Sequence, residues 1–250
     1  MTYDAYFPGV LTIFIYYIIL IILSILISIL MFKKYFERKT KATFYMSLVY
    51  TMGTIALFII SIGLYEVILT GYFKEIYRLS LPLGFTFLNI ASMIILIIAG
   101  DVTESQIYKK VKIPIIILGV LIIVLLFLPT NWWGTPQVDY EGKLSTRLIV
   151  TAFLALYNVL IYIFMARIYY LASHRTIDPV ARFGFRLLDY SMICMVIFLL
   201  LYTIDTILIA LGDKGYSIFI YIAWFFVISF YVLSYLSLVM PHWVEKRIKK

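Results

Sequence analysis

Long apolar stretches alternate with short charged ones along the whole chain. Seven stretches predict helices at 9–31, 43–70, 80–100, 113–128, 145–171, 184–211 and 216–240. A run of about twenty apolar residues is long enough to cross the hydrocarbon of a bilayer. None of the stretches alternates with period two, so the pattern argues against a β-barrel. It predicts an all-α membrane protein. Residues 1–250 form one seven-transmembrane-helix domain with little mass outside the bilayer, and residues 241–250 form a basic tail.

The breaks between stretches carry ordinary stop and start signals. Pro82 is expected at the start of helix three, where its missing N–H costs little. Gly212 and Gly215 suit a tight turn between helices six and seven. Trp132 and Trp133 fit an interfacial aromatic belt before helix five. Pro241 ends the last stretch ahead of the tail.

Charge then orients the bundle. Of the 21 Lys and Arg residues, sixteen fall in the tail or in and beside the loops joining helices one and two, three and four, and five and six, Arg167 and Arg186 lying just inside the flanking helices. Five fall on the other side: Lys74, Arg78, Lys143, Arg147 and Lys214. The positive-inside rule places the sixteen in the cytoplasm, with the N-terminus outside and the C-terminus cytoplasmic. The expected location is the cell membrane, crossed many times. The net charge of +8 reflects this bias and an attraction to anionic lipid, so it implies no nucleic-acid partner. The first nine residues lack a basic n-region, so the first span is expected to serve as the insertion signal.

Composition removes several function classes. The chain is 64% hydrophobic, with a mean hydropathy of +1.03. Cys194 is the single cysteine and lies in an apolar run, so it is expected to be a packing residue. His174 and His242 both fall in cytoplasmic flanks, so no histidine pair is placed to ligate a haem, and no Cys/His spacing fits zinc. A retinal Schiff base needs a lysine within a helix, and 216–240 contains none. No nucleophile elbow, zinc-protease motif or phosphate-cradling glycine loop is present, so no enzyme, cofactor or metal is expected.

Polar residues inside the apolar stretches are the candidates for function, because they are costly in lipid. Glu66 in helix two lies roughly 7–8 Å below its outer end, and Asp205 in helix six roughly 10 Å, at about 1.5 Å per residue. Two readings of this pair stand. In one, Glu66 and Asp205 line an outward-facing acidic cavity for a cation, an amine or a proton, with Tyr202, Trp224 and Arg78 as further ligand-binding candidates. In the other, each carboxyl bonds a nearby hydroxyl such as Tyr65, Thr70, Thr203 or Thr206. Asn89 and Asn158 are expected to act as interhelical polar contacts. Arg186 and Asp189 have the spacing of an i,i+3 salt bridge. Helix seven is rich in rings, from Trp224 to Tyr235, which suits an apolar pocket or plain packing.

Two stretches carry a family resemblance. One is Arg78-Leu79-Ser80-Leu81-Pro82. The other is Tyr221-Ile222-Ala223-Trp224 followed by Val239-Met240-Pro241-His242-Trp243 and the basic tail. With seven spans, they resemble archaeal seven-helix membrane proteins related to the sensor region ahead of some histidine kinases. The resemblance implies a receptor-like bundle whose last helix hands a signal to a cytoplasmic partner at the tail. No kinase follows Pro241, so a stand-alone module is expected. The alternatives are a small proton, cation or solute transporter using Glu66 and Asp205, and a structural subunit of a membrane assembly.

Overall fold

A computed structural model describes residues 3, 5–103, 106–128, 130, 146–211, 216–240 and 246. Trp132, Trp133, the turn at 212–215 and the basic tail other than Lys246 lie outside the described residues. Among the described residues seven helices follow one another: α1 Gly9–Arg38, α2 Lys41–Thr70, α3 Glu75–Thr103, α4 Gln106–Leu126, α5 Arg147–Arg175, α6 Pro179–Ala210 and α7 Ile218–Val239. Six are long and apolar enough to cross a membrane, and the apolar part of α4, Lys112–Leu126, is shorter. The protein is therefore all-α and, by length and composition, multi-pass.

Several helices run past their apolar stretches because local capping extends them. Asp178 accepts the N–H of Ala181 at 2.9 Å, and Pro179 fills the first turn of α6. Both are preferred chemistry at a helix start. At α2 the cap is Thr40, which accepts the N–H of Thr43. The α2 helix ends at Gly71, whose φ of 73° is left-handed and suits glycine. Helix α3 departs furthest from the sequence-based bounds. It begins at Glu75, not at 80, so Pro82 lies inside the helix instead of at its start.

The packing closes a ring. Helix α1 packs on α2, α2 on α3, α3 on α5, α5 on α6, α6 on α7, and α7 returns to α1. Helix α4 packs on α3 and α5 from outside this ring. Consecutive helices run in opposite directions, so α1, α3, α5 and α7 all begin at one end, called here the near end. The basic residues Lys33, Lys34, Arg38 and Arg175 mark the far end.

Close approach of α2 and α3 depends on two glycines. A Cβ on Gly63 would meet Ser80 Oγ and lie 2.8 Å from the Cα of Tyr77. A Cβ on Gly84 would meet the Ile60 side chain. Small residues at helix crossings are how membrane helices gain van der Waals contact without a hydrophobic drive between them. Hydroxyl pairs add to the α1–α2 contact: Ser24 with Thr54 at 2.6 Å and Ser28 with Thr51 at 3.0 Å.

The outward faces are apolar. Ile15, Ile19, Ile22, Leu26 and Ile29 on α1 are all exposed, as are Ile149, Phe153, Leu156, Leu160 and Ile163 on α5. Lipid tails are the solvent that suits these stripes.

Candidate functional site: a central uncharged cavity

Inside the ring lies a cavity of about 70 Å³, walled by α2, α3, α5, α6 and α7. Rings come from four of these helices, Tyr162 of α5 among them. Phe85 comes from α3, Phe198 and Tyr202 from α6, and Trp224, Phe230 and Tyr231 from α7. The rings hold one another. Phe85 meets Tyr202 edge-on at 5.6 Å, and Phe198 lies 5.2 Å from Trp224. Trp224 in turn meets Tyr17 of α1 edge-on at 4.7 Å. Such geometries suit the ring quadrupole and fix the side chains.

The α5 wall is different. Thr151, Leu154, Ala155, Asn158 and Tyr162 all face the cavity. The spacing of 151, 155, 158 and 162 is that of one helix face. Tyr162 shares a hydrogen bond with Ser92 of α3 at 3.1 Å. Asn158 donates to the carbonyl of Leu154 at 2.7 Å and, at 3.5 Å, to Asn89 Oδ1. Two oxygens on this face have no partner: Thr151 Oγ1 and Asn158 Oδ1 are both buried and make no hydrogen bond. Unpaired buried polar atoms are uncommon and call for an occupant or water.

None of the residues lining the cavity is charged. Neither Glu66 nor Asp205, the carboxylates expected to line an acidic cavity, is on this wall. Asp205 accepts from Ser217 twice, from the backbone N–H at 2.8 Å and the hydroxyl at 2.6 Å. It thereby satisfies the start of α7. Glu66 accepts the backbone N–H of Tyr77 at 2.9 Å, in the first turn of α3. A carboxylate at a helix N-terminus meets both unpaired N–H groups and the positive end of the dipole. The partners are thus helix starts, and none of the hydroxyls expected from sequence proximity serves.

Of the other expected ligand residues, Tyr202 and Trp224 are on the cavity wall and Arg78 is not. Arg78 pairs with Glu75 at 3.2 Å on the same helix. The i,i+3 pair between Arg186 and Asp189 does not form: among the described residues no ion pair or hydrogen bond joins them, and Asp189 is buried. Asn89 docks the outlying helix by donating to the carbonyl of Gly119 on α4 at 2.9 Å. Gly119 has to be small there, since a Cβ would meet Met93 and Tyr157.

A second set of contacts closes the near end over the cavity. The N–H of Tyr6 donates to the carbonyl of Gly71 at 2.8 Å, and Ala5 pairs with Tyr72. The Phe7 ring then reaches Phe73 and Tyr216 at 6.0 and 5.9 Å. Tyr216 also shares a hydrogen bond with Tyr77 at 3.0 Å. It adopts a left-handed backbone, φ 55°, which is uncommon without glycine. Its two aromatic neighbours and the adjacent Asp205–Ser217 bonds hold it there.

Thr151, Ser92 and Tyr162 were not singled out from the sequence. The signal was present in the helical spacing of Thr151, Asn158 and Tyr162, a polar line on an otherwise apolar helix. No protein-family model matches the chain, and neither curated proteins nor solved structures include one that matches it.

Proposed function

We propose that this chain is a receptor- or sensor-like seven-helix protein of the cell membrane that takes a small molecule into its central cavity. One observation carries the reading: two buried oxygens without partners on the wall of an uncharged, ring-lined cavity. Pockets of this composition, mostly apolar with a few fixed polar atoms, are typical of small-molecule sites. Occupancy would shift α6 and α7 against α5, because these three helices together supply most of the wall. Against the competing reading, a proton or cation path through Glu66 and Asp205, stand the hydrogen bonds that both carboxylates make to helix starts.

The reading includes a seventh crossing by α4, an external N-terminus and a cytoplasmic C-terminus. The sixteen-to-five charge asymmetry supports this orientation. Single cysteines at Tyr3 and Lys246, in a Cys194→Ser background, test it with a membrane-impermeant maleimide on intact cells. The first should label and the second should label only after lysis. The reverse pattern overturns the orientation.

The ligand reading is tested by extracting small molecules from protein purified out of its own membrane. Wild type is compared with Ala155→Phe, which fills the cavity from α5. A compound enriched with wild type and absent from a folded Ala155→Phe supports the reading. Identical extracts from both oppose it.

A further inference from the structure

We infer that the occupant of the central cavity is a small neutral amphiphile: an apolar body, with an aromatic ring suiting it best, that bears one hydroxyl or N–H donor. This inference rests on the ligand-binding reading above and specifies the chemistry of that same site.

Charge is decided first. None of the lining residues is ionisable at neutral pH, and Asp205, a buried carboxylate on α6, is occupied by Ser217. A cation or carboxylate moved into such a wall loses its hydration with no counter-charge on the wall itself, since Arg147 and Asp205 reach Tyr202 only from beyond it. The ligand is therefore neutral, contrary to what the two carboxylates suggest in the bare sequence.

The polar group is decided next. Asn158 already uses its amide nitrogen on Leu154 and Asn89, so the atom left over is Oδ1, which only accepts. Its complement is a donor. Thr151 Oγ1 is left over as well, two helical turns away, about 10 Å along α5. A hydroxyl accepts or donates, so it tolerates either polarity at the other end of the ligand. Trp224 Nε1, also on the cavity wall, is buried without a partner and only donates, so a hydroxyl that donates to Asn158 can also accept there. A pure hydrocarbon would leave all three atoms dry and unpaired.

Shape and size are decided last. The other walls carry rings already packed on one another, Phe85 edge-on to Tyr202 and Phe198 tilted against Trp224, and such rings receive another ring in the same manner. A cavity of about 70 Å³ is smaller than the roughly 150 Å³ of an apolar cavity that admits benzene. A ring-sized ligand must therefore displace the wall, and Met195 is its most adaptable member. Binding is thereby tied to movement between α5 and α6.

Matched pairs test the chemistry without relying on any variant. Phenol and toluene have similar shape and differ in one O–H; indole and indene differ in one N–H. Binding is read in nanodiscs from Trp224 fluorescence, with Trp132, Trp133 and Trp243 replaced by Phe. Ala155→Phe in the same background gives the baseline for partition into lipid. Phenol and indole should bind about tenfold more tightly than their partners, the usual size of one hydrogen bond. Asn158→Leu should remove that preference while keeping the toluene response; if it misfolds, Thr151→Val and the wild-type pairs still decide. Benzylammonium should not bind. Equal binding within each pair overturns the donor requirement and leaves the cavity as a ligand site. Binding of benzylammonium as tight as phenol overturns neutrality. No binding by any probe overturns both this inference and the ligand-binding reading, leaving a cavity that holds only water.

Discussion

Asp205 and Ser217 are joined by two hydrogen bonds, 2.8 Å to the backbone N–H and 2.6 Å to the hydroxyl, so a carboxylate within α6 sets where α7 begins. Glu66 does the same for α3 through the N–H of Tyr77. The two contacts span similar sequence distances, 12 and 11 residues. The costliest side chains in the apolar stretches thus serve as caps on the next helix.

Removing these caps should cost stability unequally. Asp205 is 4% exposed and makes two bonds, while Glu66 is half-buried and makes one. Asp205→Ala is expected to cost about 2 kcal/mol and Glu66→Ala about 1 kcal/mol, within the range for caps and charged hydrogen bonds. Reversible unfolding in mixed micelles measures both. Equal, negligible losses would show that the helix starts hold without them.

The same geometry predicts an outcome in transport assays. Proteoliposomes carrying wild type, Glu66→Gln or Asp205→Asn should show the same proton and cation leak under a gradient. A flux present in wild type and abolished by either substitution would restore the pathway reading.

Gly63 and Gly84 set the distance between α2 and α3. Gly63→Ala brings a Cβ against the backbone of Tyr77, which cannot rotate away. It should destabilise by about 1–3 kcal/mol, the usual cost of overpacking. Gly84→Ala meets Cγ1 and Cδ1 of Ile60 and lies 3.3 Å from the Ala56 carbonyl, so it should also destabilise, but less, since no backbone atom comes within 3 Å. Thermal denaturation of the two purified variants gives the order, and a neutral Gly63→Ala would contradict the close crossing.

Helix α4 depends on a small set of contacts. Asn89→Ala removes the bond to Gly119 and should cost roughly 0.6 kcal/mol, the average found for side-chain hydrogen bonds in membranes. Its clearer signature is local. Hydrogen exchange in Lys112–Leu126 should quicken while α2 and α7 stay protected. Uniform exchange across all helices would show that α4 is held mainly by other means.

Much of the architecture follows from the residues alone. Apolar stretches in a bilayer have to be helical, since no water is present to satisfy a bare backbone. The apolar length therefore marks the helices, and charge ends each apolar stretch. The exact ends escaped, because caps such as Asp178 and Glu66 extend helices beyond their apolar parts. Pro82 looked like a start for that reason. Asn89 stood out as a polar residue in mid-helix, yet its partner is a backbone carbonyl of α4, which carries no side-chain signature.

What the sequence by itself determined is the class: an all-helical, membrane-crossing chain with few charges in its apolar stretches and no metal or nucleophile motif. Helical periodicity and the cost of burying charge suffice for that. Which polar residues meet was decided only by the tertiary structure. Glu66 and Asp205 look like a pair along the chain, yet each turns to the helix that follows it. Thr151 and Asn158 look like two ordinary helix residues, yet ring closure of α2, α3, α5, α6 and α7 leaves them on the wall of one cavity. Depth along a helix is readable from residue count, but the direction a side chain faces depends on how neighbouring helices pack around it.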